Sequence, residues 1–214
     1  MLNLETAVLS LIIAAFSVVA IRARVREKHV LFYVFKPLTT VCILFLAVLI
    51  GRSNDSSYFM WIVTGLAFCL AGDIFLMFPE RFFTVGLTGF LMGHVFYILA
   101  FSSDVGLQIS WRLLPFAVYG LAMFFFLFPS LGRMKFPVLV YVAVIVVMVW
   151  QSLEQWVQLS KNSTLFAFMG AVLFVVSDSV LAINKFKRMM KCAQPWILGM
   201  YYYAQWLIAL SVGQ

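Results

Sequence analysis

The sequence predicts an all-α protein of the polytopic membrane class, a bundle of eight transmembrane helices. Hydrophobic residues make up 64% of the 214-residue chain and charged residues only 11%. An average soluble domain has about 45–50% apolar and about 25% charged residues. Long apolar runs recur along the whole chain, and eight spans of about 20 residues use most of it. We therefore expect residues 1–214 to form a single transmembrane domain.

The breaks between apolar runs place the eight helices. We predict spans at residues 4–21, 31–50, 58–78, 82–101, 111–128, 136–150, 165–184 and 194–212. The first run has no basic residue before it and four basic residues soon after it, Arg22, Arg24, Arg26 and Lys28. This order favours a membrane anchor over a cleaved signal peptide.

Basic residues are distributed unevenly between the loops. Eleven of the fifteen Lys and Arg residues follow odd-numbered spans, whereas the even-numbered loops hold only Arg52, Arg112 and Lys161. By the positive-inside rule, both termini are then outside and the odd-numbered loops are cytoplasmic. This asymmetry accounts for the net charge of +7 without a nucleic-acid partner, and the basic rim attracts the head groups of the lipid bilayer.

Four ionisable residues lie inside predicted spans: Lys36, Asp73, His94 and Asp178. A charged group at bilayer depth costs at least about 2.5–3.5 kcal/mol, so such groups usually face the bundle interior and mark a functional site. With a rise of about 1.5 Å per residue, Lys36, Asp73 and Asp178 lie roughly 8–9 Å inside the cytoplasmic ends of their helices. Three helices therefore bring ionisable groups to one level.

Each of these residues also has a structural interpretation. Lys36 can extend its amine to the cytoplasmic head groups, and His94 can be a neutral histidine bonded to a nearby backbone group. For Asp73 and Asp178, the structural interpretation is a hydrogen bond or an ion pair with Lys36 that has no part in chemistry. Their short side chains cannot reach the head groups, which makes a functional role the stronger hypothesis.

Small and polar residues accompany the buried charges. Gly89 and Gly93 have the spacing that permits close helix packing just before His94. On the eighth helix, Tyr201 fits an aromatic belt at the membrane interface, whereas Gln205 lies too deep for such a belt. The segments around Asp73 and Asp178 are weakly similar and lie about half a chain apart. A four-plus-four parallel pseudo-repeat is therefore possible.

Several of these residues belong to a pattern that spans most of the chain. The sequence resembles the YhhN-like lysoplasmalogenase family in Lys36-Pro37-Leu38-Thr39-Thr40, Gly72-Asp73, Gly86 through Gly93-His94 with Tyr97 and Phe101, Phe174 through Asp178 to Phe186, Tyr201 through Gln205, and Ser211. The resemblance implies an integral membrane hydrolase. It would cleave the vinyl-ether bond of lysoplasmalogens to a fatty aldehyde and glycerophosphoethanolamine or glycerophosphocholine. The two intramembrane aspartates of the family correspond to Asp73 and Asp178.

The chemistry of this reaction fits two buried carboxyl groups. A vinyl ether hydrolyses by protonation of a carbon, and water then captures the resulting cation, so a general acid and a second carboxylate are required. We expect Asp73 and Asp178 to fill these roles, and the sequence does not say which is the acid. The expected substrate-binding residues, which would contact the lysophospholipid, are Lys36, His94, Tyr97, Asn184, Tyr202 and Gln205.

Other reaction classes lack their motifs. The sequence has no Gly-x-Ser-x-Gly elbow, no HExxH and no Cys/His cluster, so an ester lipase and a zinc hydrolase are disfavoured. We expect no metal and no cofactor. A proton-coupled transporter of a small amphiphile is the alternative, since intramembrane acids also mark carriers. Short loops favour a bacterial inner membrane over the endoplasmic reticulum.

Overall fold

The computed structural model describes residues 4–52, 56–78, 82–188, 190 and 193–213. Within these residues the secondary structure is helical, with eight α-helices and no strand. The helices are α1 (Leu4–Val25), α2 (His29–Gly51), α3 (Ser57–Phe75), α4 (Phe83–Ser103), α5 (Leu113–Leu127), α6 (Lys135–Leu159), α7 (Asn162–Phe186) and α8 (Ala193–Leu210). The predicted number and order of helices are thus found.

Seven helical segments of the described chain are long and apolar enough to cross a membrane; they correspond to α1 to α7, with α5 extended by a 3-10 turn to Ser130. The chain is therefore a multi-pass membrane protein. Helix α8 is not among the seven, because its 18 residues include two Gln and three Tyr. It is nevertheless rich in buried residues, which include Tyr201, Tyr202 and Gln205, so these three polar side chains face other helices.

Helix packing follows the chain order for most of the bundle. Helix α1 packs on α2, α3 on α4, α5 on α6 and α7 on α8, while α8 also contacts α1 and α2. Short connections between neighbouring helices make them run antiparallel. The ends of the helices that flank the odd-numbered loops therefore lie at one end of the bundle, which we call the basic end.

The closest helix pair is α3 with α4, and glycine makes this possible. A Cβ atom added at Gly89 would lie 2.9 Å from the Cα of Gly72, and one added at Gly93 would lie 2.6 Å from the Sγ of Cys69. The close approach predicted from Gly89 and Gly93 is confirmed. Gly72, the residue before Asp73, is therefore packed against α4.

The main departure from the predicted spans is α6, which continues to Leu159 instead of ending at Trp150. Its last turns contain polar residues, yet Gln151, Glu154 and Gln155 are buried. Gln151 donates to the carbonyl of Gln108 at 3.0 Å, and the Glu154 carboxylate pairs with Arg112 at 3.0 Å. The polar residues at the end of α6 thus bind the segment between α4 and α5. Local hydropathy does not predict these contacts.

Candidate functional site

A cavity of about 540 Å³ lies among α2, α3, α4, α7 and α8 at the basic end of the bundle. Its wall contains both aspartates that were predicted from the sequence, Asp73 and Asp178, together with Lys36 and Asn184. The other polar or aromatic groups on the wall are Arg24, Phe32, Tyr33, Phe78, Phe83, Phe90, Ser177, Lys185, Gln194 and Tyr201. Residues from six helices, α1 included through Arg24, and from nearly the whole length of the chain therefore meet at one chamber.

The carboxylate of Asp73 is the centre of a buried polar cluster. Its Oδ1 lies 3.2 Å from the amine of Lys36, which also donates to the backbone carbonyl of Asp73 at 3.1 Å. Its Oδ2 accepts from the hydroxyls of Thr40 at 2.7 Å and Tyr201 at 2.6 Å. Lys36 is buried, so its amine is directed to Asp73 and not to the head groups.

Three helices hold this cluster together. Lys36 and Thr40 are four residues apart and so project from the same face of α2. Tyr201 comes from α8, where its ring packs edge-on against Phe90 and Phe174 at 5.7 and 5.5 Å between centroids. Tyr201 is only 5% exposed, so the interfacial-belt interpretation of this residue is wrong. A hydroxyl is needed here because the buried carboxylate must be solvated by protein groups.

Asp178 has a different environment. Its Oδ2 accepts a hydrogen bond from the hydroxyl of Tyr141 on α6. The imidazole Nε2 of His94 lies 3.9 Å from the same oxygen. The Asp178 side chain is 15% exposed, against 1% for Asp73. The two carboxyl groups therefore share a chamber but differ in partners and in access.

His94 lies beside Asp178 in a tight aromatic enclosure. Its ring contacts Phe174 and Tyr141 edge-on, with centroids 4.6 and 5.2 Å apart. In the described part of the chain neither ring nitrogen makes a hydrogen bond. The prediction that His94 bonds to a backbone group is therefore wrong. Its ring instead lies next to the carboxylate of Asp178.

Two basic residues lie at the mouth of the chamber, which is at the basic end of the bundle. Arg24 at the end of α1 and Lys185 near the end of α7 both line it, and each cation lies over an aromatic ring, Phe32 at 5.2 Å and Phe83 at 5.0 Å respectively. Asn184 accepts from the backbone N–H of Met190 at 2.8 Å. A cationic mouth of this kind suits an anionic group such as a phosphate.

Four of the residues predicted to bind substrate are not on the wall of the chamber: His94, which is wholly buried, and Tyr97, Tyr202 and Gln205. Tyr97 donates to Gln205 at 2.6 Å, and both side chains are wholly buried. Tyr202 lines a smaller pocket between α1 and α8. The bond between Tyr97 and Gln205 connects α4 with α8. Tyr202 lies between α8 and α1.

Thr40 and Tyr141 each contact an aspartate, although neither is among the site residues predicted from the sequence. Thr40 was visible within the Lys36–Thr40 motif, four residues after the lysine. Tyr141 lies in a run of β-branched residues and has no local signal, since only the tertiary packing of α6 on α7 brings it to Asp178. In the described ranges no three His, Cys, Asp or Glu side chains converge as metal ligands.

Fold and site together define a multi-pass helical membrane protein with two carboxyl groups in an internal chamber. The chain belongs to the YhhN family, whose model matches residues 31–212. The matched region contains every residue contacting Asp73 and Asp178 described above.

Curated relatives come from bacteria and animals. A protein named "Uncharacterized membrane protein YhhN" from Escherichia coli O157:H7 is 27% identical over 181 residues, 84% of this chain and 86% of that protein. "Lysoplasmalogenase TMEM86A" from Homo sapiens is 34% identical over 161 residues, 70% of this chain and 64% of that protein. "Lysoplasmalogenase TMEM86B" from Mus musculus is 33% identical over 180 residues, 82% and 72% of the two chains. No solved structure gives a significant match.

Proposed function

We propose that this protein is a membrane hydrolase that cleaves the vinyl-ether bond of lysoplasmalogens. The products are a fatty aldehyde and glycerophosphoethanolamine or glycerophosphocholine. One observation carries the proposal: Asp73 and Asp178, from different helices, line one chamber in unlike environments. The relatives named lysoplasmalogenase support the substrate class.

The reaction needs a proton donor next to one carbon of the vinyl group and a water molecule next to the other. Protonation of the outer vinyl carbon gives an oxocarbenium ion, and water adds to the carbon that bears the ether oxygen. The resulting hemiacetal then releases the glycerol hydroxyl and the aldehyde. One water is consumed and no electrons are transferred, so two carboxyl groups are sufficient.

We assign the proton donor to Asp178. The amine of Lys36 contacts Asp73 and not this carboxyl group, and the Tyr141 hydroxyl orients it from one side. A carboxyl group without a paired cation in an apolar surrounding is the one that retains a proton for donation. His94, beside Asp178, packs against it and restricts its rotamers.

We assign the base to Asp73. Its carboxyl oxygens contact the Lys36 amine and accept two O–H bonds. A carboxylate has about four acceptor positions, so acceptor capacity remains for a water molecule in the chamber. Lys36 thus pairs with Asp73, while Arg24, Lys185 and Asn184 at the mouth contact the phosphate and glycerol of the substrate.

The proposed topology has eight spans, with α8 as the eighth, and both termini outside. The chamber then opens toward the cytoplasm, where the basic loops face anionic head groups. The membrane that we propose is a bacterial inner membrane.

A transporter would require a route through both halves of the bundle. In the half away from the basic end, Tyr58 bonds to Ser211 at 2.6 Å, and Ile62, Phe101 and Ile208 are wholly buried. This packing favours a hydrolase, whose substrate enters and leaves on one side.

The direct test is aldehyde release from purified protein given lysoplasmenylethanolamine and, in parallel, its ester analogue. We expect hydrolysis of the vinyl ether only, and deuterium on the carbon next to the aldehyde when the solvent is heavy water. Asp73→Asn and Asp178→Asn should each reduce the rate by about 10²–10⁴-fold. Asp104→Asn, at an exposed carboxyl group on the far side, is the matched control.

Two results would overturn the proposal. Release of aldehyde from neither substrate by the folded wild-type protein would reject the function. Near wild-type rates for both Asp73→Asn and Asp178→Asn would reject the mechanism and leave the function standing.

A further inference from the structure

A second, apolar groove lies beside the chamber and meets it at Asp178. It has a volume of about 70 Å³ and lies among α5, α6 and α7. Apart from Asp178, its wall is formed mainly by aliphatic and aromatic residues, among them Leu87, Met123, Leu127, Val142, Val146 and Ala182. The groove is therefore narrow. Its wall is mainly apolar, whereas the wall of the chamber carries charged side chains.

The two spaces share part of their walls. Phe83, Asp178, Leu181 and Lys185 belong to the walls of both. Asp178 is the residue at which the lining changes in character, with Lys36 and Asp73 on one side and the aliphatic residues of α6 on the other.

The groove lies at the edge of the bundle. Helix α5 contacts α6 and α7, and its outer face is exposed, with Val118 at 65% and Phe125 at 66%. The Tyr119 hydroxyl donates to Ser179 on α7 at 2.9 Å, and both residues line the groove. In a bilayer, the exposed side of α5 faces lipid chains, so a hydrocarbon can approach from the membrane between α5 and α7.

We propose that this groove binds the single hydrocarbon chain of the lipid substrate, with the vinyl-ether end at Asp178 and the glycerophosphate end in the chamber. The inference rests on the proposed function. It adds the orientation of the substrate and the residues that select its chain, which the catalytic assignment does not specify.

The polarity of the two spaces matches that of such a lipid. A lysoplasmalogen is apolar up to its vinyl ether and polar beyond it, and the walls change from apolar to charged at Asp178. In this orientation the carbon that must be protonated is on the groove side of the carboxyl group. The oxocarbenium carbon faces the chamber, where Asp73 is located. A bound chain also excludes water from the protonation step.

Filling the groove tests this orientation. Val142→Trp adds bulk to the α6 wall, while Val118→Trp makes the same change on the exposed face of α5. We measure kcat/KM for a long-chain vinyl ether and for a short-chain vinyl ether with the same head group. Val142→Trp should lower the long-chain value by about tenfold or more, because overpacked sites exclude volume. It should lower the short-chain value far less, and Val118→Trp should change neither.

Chain binding is also measured without hydrolysis. The probe is an ester lysophosphatidylethanolamine that carries a photoreactive diazirine in its chain, used with and without excess unmodified lysolipid. We expect competed labelling of groove residues such as Met123, Val142 and Ala182, and uncompeted labelling of the outer surface of α5.

The outcomes separate the two proposals. If the wild-type protein hydrolyses neither vinyl ether, the proposed function fails, and the labelling pattern still decides whether the groove binds a chain. Hydrolysis with equal losses for both substrates in Val142→Trp, or with no loss, overturns the groove assignment. Competed labelling confined to residues outside the groove overturns it as well.

Discussion

The hydroxyl of Tyr201 lies 2.6 Å from Oδ2 of Asp73, although the two residues are 128 positions apart in the chain. This contact joins α8 to the buried carboxylate on α3. It explains why α8 carries a tyrosine at a position without solvent access. The bond also gives α8 a part in the proposed chemistry.

Tyr201→Phe tests that contact. The variant keeps the ring contacts with Phe90 and Phe174 and removes the donated hydrogen bond. A hydrogen bond to a charged group contributes about 1.5–3 kcal/mol, so we expect the rate of aldehyde release to fall by about 10- to 100-fold. Tyr203→Phe, at a half-exposed tyrosine of the same helix, should leave the rate unchanged. Equal rates for the two variants would contradict a role for the Tyr201 hydroxyl.

Lys36→Met tests the ion pair through stability. Removal of one partner leaves a buried charge unpaired, which costs about 3–5 kcal/mol. We therefore expect a large fall in Tm for Lys36→Met in detergent. The double variant Lys36→Met with Asp73→Asn should regain most of the lost Tm while remaining inactive. A double variant no more stable than Lys36→Met would show that Lys36 stabilises the protein in some other way.

Tyr141→Phe tests the second carboxyl group. Without the Tyr141 hydroxyl, the Asp178 side chain loses the hydrogen bond that orients it, and we expect kcat to fall by about tenfold or more. Tyr58→Phe also removes a buried tyrosine hydrogen bond, the one with Ser211, but far from the chamber. Tyr58→Phe should lower Tm with little change in kcat per folded molecule. A similar kcat loss in both variants would mean that stability alone explains the effect.

Gly89→Ala tests the close packing of α3 and α4. The new methyl group would meet the backbone of Gly72 at 2.9 Å, and overpacking of this kind typically costs about 1–3 kcal/mol. Gly199→Ala is the matched change, since its methyl group would meet only Ile21 at 3.9 Å. Tm should fall clearly for Gly89→Ala and stay level or rise for Gly199→Ala. Equal Tm values would contradict the observed contact.

Much of this architecture was predictable because it depends on hydropathy. Apolar runs located all eight helices, and the cost of buried charge pointed to Lys36, Asp73 and Asp178, which line one chamber. The end of α6 was not predictable. Gln151 and Glu154 read as loop residues until their partners in the α4–α5 segment are known.

The partners of the aspartates were harder to predict for a related reason. The local sequence around a tyrosine in an apolar helix is the same whether its hydroxyl faces the membrane interface or a carboxylate. The interface was the interpretation given for Tyr201. Tyr141 and Tyr201 can be distinguished from other tyrosines only by helix packing. The four-plus-four repeat, the orientation of the termini and the membrane of residence stay predictions.

The pair formed by Lys36 and Asp73 also bears on how the chain enters the bilayer. The two residues lie near the same end of the consecutive helices α2 and α3, in direct contact. Inserted separately, each helix would carry an uncompensated charge into hydrocarbon. Inserted together as a hairpin, the two helices carry a neutral pair. A hairpin of α2 and α3 thus avoids the cost of placing two unpaired charges in the hydrocarbon.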